Sequence, residues 1–148
     1  MGANVLDASK GLVNKGAILS SNDENYLTIT ECDSQNKESL IINLSDDVKI
    51  DTILVSNRED FSSPLGDISF FGSIDYPPLD DKWTYLGTLQ PELSLQAGHD
   101  GIHMLTFDDE SSDQMVRFLK VEMQGHERND NGLYCTLTRI QVFGATMH

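Results

Sequence analysis

An all-β antiparallel sandwich is the fold class that this 148-residue sequence predicts. Three observations point there. Short segments rich in β-branched and aromatic residues recur along the chain, polar turn-forming residues separate them, and no segment sustains a 3.6-residue apolar period. Strands at such spacing suit two packed antiparallel sheets.

Taken in order, Tyr26-Leu27-Thr28-Ile29-Thr30 alternates and is rich in β-branched residues. Leu40–Leu44 and Ile50–Val55 follow as two strands, parted by the turn-forming Ser45-Asp46-Asp47. Asp67–Ile74 and Trp83–Leu89 come next, and Pro77-Pro78 between them stops any helix and sets an extended loop. The second half holds Ile102–Phe107, Val116–Met123 and Leu133–Gly144. Val116, Phe118, Leu119 and Val121 cannot all share one face, so that strand needs a β-bulge or burial on both faces. A short helical turn is expected near Asn4–Leu12. No internal repeat, low-complexity tract or long linker divides the chain, so residues 1–148 read as one domain.

Composition narrows the function. Hydrophobic residues make up 39% and charged residues 23%, as in folded soluble domains. The net charge is −14, with a sequence pI near 4.3. A surface that acidic repels phosphate backbones and anionic lipid heads, which disfavours direct nucleic-acid or membrane-surface binding. No apolar run is long enough to span a membrane, and Met1–Val5 lacks the features of a signal peptide. The chain is then either cytosolic or a piece of a larger anchored parent.

Motifs for chemistry are sparse. His99 and His103 are four apart, but Asp100-Gly101 breaks the helix that such a pair of zinc ligands would need, and His126 and His148 supply no obvious third ligand. Asp80-Asp81 and Asp108-Asp109-Glu110 are loop acids, which are solvated or bind a hard cation far more often than they hydrolyse glycosides. No nucleophile elbow, phosphate loop or dinucleotide fingerprint occurs, so no enzyme is expected. Asn43-Leu44-Ser45 is an N-glycosylation sequon, with meaning only in the secretory route. Cys32 and Cys135 stand 103 positions apart and match no zinc spacing. From residue types alone they are equally two buried thiols or one disulfide.

The C-terminal run Arg117–Glu122 followed by Leu133-Tyr134-Cys135 through Val142-Phe143-Gly144-Ala145-Thr146-Met147 resembles the end of a SUN domain. The likeness is greatest to the SUN-like (mid-SUN) branch of osteopotentia and the SUN domain-containing ossification factor. Asn4–Ser9 with Gly16–Leu19, Phe61-Ser62-Ser63-Pro64, and Trp83–Thr88 agree in the same order, so the resemblance covers nearly the whole chain. It implies a galactose-binding-like β-sandwich (jelly roll) within a membrane-anchored protein. That domain would face the endoplasmic reticulum lumen or perinuclear space. The parent would supply the transmembrane segment and a coiled coil able to form a homo-oligomer.

The resemblance also implies roles for residues. Cys32 and Cys135 fall where the family places an intrachain disulfide pinning a cation-binding loop. Closing a loop of roughly 100 residues contributes about 4–5 kcal/mol by chain entropy, before native-state strain. The loop here would centre on Asn22, Asp23 and Glu24, oxygen donors suited to a structural monovalent or calcium cation; no other cofactor is implied. Ser63 and Tyr134 match positions that grip the terminal carboxylate of a KASH peptide, as hydroxyl donors can. Two departures weaken that transfer. Thr138 stands where a second pocket tyrosine is expected, and the 12 residues between Leu19 and Cys32 leave no room for the long lid of KASH-binding members.

The expectation is therefore a non-catalytic lumenal domain that binds a protein partner, tied by resemblance to protein folding and quality control or to nuclear-envelope organisation. The rivals are a KASH-peptide-binding bridge domain, a carbohydrate-binding module that stacks sugars on Tyr76 and Trp83, and a hydrolase using two loop carboxylates.

Overall fold

The computed structural model describes residues 3–20, 27–29, 35, 37–56, 65–90, 102–107, 114–125 and 135–146. Among them, strands β1 (Asn4–Ala8), β2 (Leu12–Val13) and β3 (Leu27–Ile29) precede a 20-residue strand, β4 (Lys37–Ser56). β5 (Leu65–Ser73), β6 (Thr84–Leu89), β7 (Ile102–Thr106) and β8 (Val116–Gly125) follow. β9 (Cys135–Leu137) and β10 (Arg139–Thr146) end the series. Two 3-10 turns, Lys15–Leu19 and Leu79–Asp81, complete the described elements.

All recorded strand pairs are antiparallel. The large sheet runs β1-β4-β8-β5-β6, with β10 and β7 also pairing β4, and a smaller sheet runs β2-β3-β9. The antiparallel β-sandwich expected from the sequence is thus the architecture found.

Two local readings change. Asn4–Ala8 is a strand, not a helical turn: it pairs β4 from Asn4 opposite Asn43 to Ala8 opposite Leu40. A bulge between Val5 and Asp7 breaks the alternation that would have revealed it. Ser45-Asp46-Asp47 does not separate two strands either. It forms an irregularity inside β4, with Ser45 at φ 69°, between Asn43 opposite Phe118 and Val48 opposite Val116. Both halves of β4 find partners, β1 and β8 before the irregularity and β10 and β7 after it, so strand pairing resumes beyond it.

The same irregularity resolves the pattern of β8. Leu119, Val121 and Met123 point into the core, while Phe118, Lys120 and Glu122 lie half-buried on the other side. Val116 shares the parity of Phe118 yet is buried, because the displaced segment of β4 re-aims the strand end. It packs where Gly72 of β5 leaves space for it. Burial on both faces and a bulge therefore operate together.

One core joins residues from both sheets, including Leu27, Leu40, Ile53, Phe70 and Leu137, with Ile18 of the first 3-10 turn. Each such side chain contributes about 1.5–3 kcal/mol when fully buried. With its inner face committed to this core, the large sheet leaves its outer face for other contacts.

Candidate functional site

Register builds the site. Asp7 on β1 lies opposite Ile41 on β4, Ile41 opposite Lys120 on β8, Lys120 opposite Phe71 on β5, and Phe71 opposite Tyr85 on β6. One row thus crosses five strands on the outer face. Beside it runs a polar row of Ser39, Glu122, Ser69 and Thr88. On the other flank lie Asn4, Asn43, Phe118 and Ser73.

The segment between β5 and β6 folds back over this face. Ser73 Oγ turns it by donating to the Asp75 carbonyl at 2.7 Å and accepting from the Asp75 N–H at 3.1 Å. Tyr76 then lies 5.6 Å from Phe118 and 6.4 Å from Trp83, centroid to centroid. Its hydroxyl donates to Asp7 Oδ2 at 3.4 Å on the far strand. Burial, and then the charge and hydrogen bond of Asp7, hold the Tyr76 phenol above its ordinary pKa, so it stays a neutral donor.

Lys120 sits at the centre. Its Nζ is 5.7 Å from the ring centroids of both Phe71 and Trp83, and 3.4 Å from Glu122 Oε1. The ammonium is attracted to the negative ring faces and fixes their orientation. Phe71 meets Tyr85 edge-on at 5.6 Å. The Tyr85 and Thr88 hydroxyls share a 2.6 Å hydrogen bond, and Thr88 bonds Ser69 at 2.9 Å. Five aromatic rings therefore occupy one face, with Tyr85 58% and Tyr76 39% exposed.

Of the residues singled out from sequence, Tyr76 and Trp83 belong to this patch and Asn43 flanks it, while the other described ones lie away from it. Cys32, Ser63, Tyr134, Asn22, Asp23 and Glu24 fall outside the described residues, as do His99, His126, His148 and Asp108-Asp109-Glu110. Cys135 is fully buried on β9 and carries no free thiol. Thr138 is 2% exposed, and its N–H donates to the Ser56 carbonyl at 2.8 Å, so its side chain is interior. Asn43 is half-buried on the outer face, where its Oδ1 accepts from the Ser45 N–H at 2.8 Å. His103 is buried on β7, and desolvation lowers its pKa. Asp80 and Asp81 are exposed in a 3-10 turn. Among the described residues, no three His, Cys, Asp or Glu side chains gather to hold a metal, and no helix is long and apolar enough to cross a membrane.

Sequence reasoning named Tyr76 and Trp83 but missed Phe71, Tyr85, Phe118 and Lys120 as their neighbours. The available signal was the alternation of Phe118 and Lys120 with Leu119 and Val121, which marks a strand buried on both faces.

Comparison with known proteins places the chain. The Sad1/UNC-like C-terminal family model matches residues 9–146. The chain belongs to the SUN domain family. SUN domain-containing protein 4 of Arabidopsis thaliana is 31% identical over 143 residues, which are 97% of this chain and 22% of that protein. Uncharacterized protein slp1 of Schizosaccharomyces pombe is 29% identical over 145 residues, 98% of this chain and 20% of that protein. This SUN domain thus spans about a fifth of the length of these relatives.

Solved structures agree on the architecture. CBM32-3 from a family 31 glycoside hydrolase of Clostridium perfringens superposes with a TM-score of 0.71 at 13% identity, covering 97% of this chain and 91% of that one. The family 32 CBM of C. perfringens NanJ, solved in complex with galactose, gives 0.64 at 13% identity, covering 95% and 90%. At such identity the likeness concerns the fold, a galactose-binding-like β-sandwich.

Proposed function

We propose that this SUN domain is a non-catalytic lumenal module, of the endoplasmic reticulum or nuclear envelope, that binds a protein partner through the outer face of its large sheet. The observation that carries this reading is the five-ring aromatic patch around Lys120, with Tyr85 and Tyr76 open to solvent. Aromatic side chains are enriched in protein interfaces because they supply large, pre-ordered contact area. The membership of the family supports a location in the lumen, and the buried Cys135 without a free thiol supports its pairing with Cys32, the chain's one other cysteine.

A photo-crosslinking residue at Tyr85 in the full-length parent, expressed in cells, tests the surface. It should capture a discrete protein, whereas the same residue at exposed Asp51, outside this patch, should not. A folded protein that captures nothing from Tyr85 or Tyr76 overturns the surface assignment. Alkylation of the native protein without reductant tests the compartment. Two freely labelled cysteines would count against an oxidising lumen.

The rings beside the Ser69, Thr88 and Glu122 row favour a second reading, a carbohydrate-binding face. A glycan array without a hit for the wild-type domain would retire it.

A further inference from the structure

Asn43-Leu44-Ser45 is the one Asn-X-Ser/Thr sequon in the chain, and the contacts of the aromatic patch leave it unused. The structure places it where β4 becomes irregular, on the solvent side of the sheet. Leu40 and Ile42 are buried in the core, so alternation turns Ile41 and Asn43 outward. Asn43 Oδ1 accepts from the Ser45 N–H at 2.8 Å, and Ser45 holds a left-handed φ of 69°. A backbone N–H requires an acceptor, so this bond fixes which end of the amide is oxygen. Nδ2 is then directed away from the turn and makes no hydrogen bond to another described residue. Ser45, the residue that completes the sequon, is exposed.

We infer that Asn43 is an N-glycan acceptor whose glycan leaves the sheet beside Phe118 and fences one side of the partner-binding face. The donor is a lipid-linked oligosaccharide pyrophosphate. A bond forms between Asn43 Nδ2 and the anomeric carbon of the first sugar, while the carbon–oxygen bond to the pyrophosphate breaks. The pyrophosphate departs with that electron pair, and Nδ2 loses one proton to a base of the transferase. This inference rests on the lumenal reading above, because the donor is presented there.

The register gives the glycan its consequence. Asn43 is paired with Phe118, and Phe118 is the ring on which Tyr76 rests at 5.6 Å. The first sugar would emerge at that end of the aromatic row. Tyr85 lies on β6, three inter-strand steps from β4, or about 14 Å at about 4.8 Å per step. A partner is thereby directed to the β5–β6 half of the face, and the Asn43 half stays covered.

The test uses the full-length parent expressed in cells, with glycosidase treatment in heavy-oxygen water and mass analysis of the tryptic peptide Glu38–Lys49. The substitution Gly16→Thr adds a reporter, because it completes an Asn-Lys-Thr sequon that begins at Asn14. A Cβ at residue 16 meets nothing within 4 Å, and Asn14 is exposed. The expected result is heavy-oxygen conversion at Asn43 and its loss in Ser45→Ala, which leaves the asparagine in place. Conversion at the Asn14 reporter without conversion at Asn43 overturns the inference and leaves the lumenal reading standing. Conversion at neither site overturns both.

Discussion

Replacing Lys120 with Met removes a charge from the middle of the aromatic face and retains an apolar stem of similar length. Three contacts disappear: two rings at 5.7 Å and Glu122 at 3.4 Å. The Lys120 side chain is 26% exposed, so each ring contact belongs near the exposed end of the cation–π range, about 0.5–1 kcal/mol. The partly exposed ion pair adds about 0.2–1 kcal/mol. The expected loss is therefore about 1–3 kcal/mol, read as a lowered urea midpoint at unchanged slope. A double-mutant cycle with Trp83→Leu isolates one ring, and its coupling energy should be about 0.5–1 kcal/mol. Far-UV circular dichroism must be the probe, because Trp83 is the chain's single tryptophan. Raising the salt concentration should erode the Glu122 contribution more than the ring coupling. A coupling below about 0.3 kcal/mol, within ordinary additivity error, would refute the idea that Lys120 orders the rings.

Two further substitutions probe the sheet beneath the face. Gly72→Ala would set a Cβ 2.7 Å from Val116 Cγ2, a buried and stiff neighbour. The variant should lose about 1–3 kcal/mol, and the double variant with Val116→Ala should recover part of it in urea unfolding. His103 has a depressed folded pKa, because burial disfavours its charged form. The unfolded chain therefore binds more protons below pH 6.5, and stability falls as pH drops from there through the folded pKa. His103→Gln should flatten the fall in stability as pH drops below about 6.5. An unchanged slope would show that His103 does not set it.

The elements legible in the sequence are those in which local pattern and tertiary partner agree. Leu27–Ile29, the strand around Phe70 and the strand around Leu119 and Val121 carry alternation or β-branched runs that their burial bears out. The elements that were misread are those in which a partner overrides local chemistry. Ser45-Asp46-Asp47 has the composition of a turn, yet Asp47 accepts from Arg117 Nε at 2.8 Å and strands pair on both sides of it. Asn4–Ala8 lacks clean alternation because it is bulged, and its strand identity comes from β4 alone. The candidate site was legible only in fragments. Phe71, Phe118 and Tyr85 come from three strands, Tyr76 and Trp83 from the connection between β5 and β6, and nothing in the linear order records the register that assembles them.

The occupancy of the ring faces bears on what this surface binds. A sugar stacks by laying its C–H groups on an open aromatic face. Phe71 and Trp83 each already turn toward the Lys120 ammonium, and Phe118 is overlain by Tyr76. That leaves Tyr85 and Tyr76 as the rings more than a third exposed, and the Tyr85 hydroxyl is held by Thr88 while that of Tyr76 is held by Asp7. Such rings present edges and tethered hydroxyls in fixed positions, at little further entropic cost. Protein interfaces reward anchors of that kind, which are rigid, aromatic and polar at one end. The geometry thus favours a protein partner over a sugar on the β5–β6 half. The Lys120 ammonium, by occupying the two neighbouring ring faces, is the feature that tips the balance.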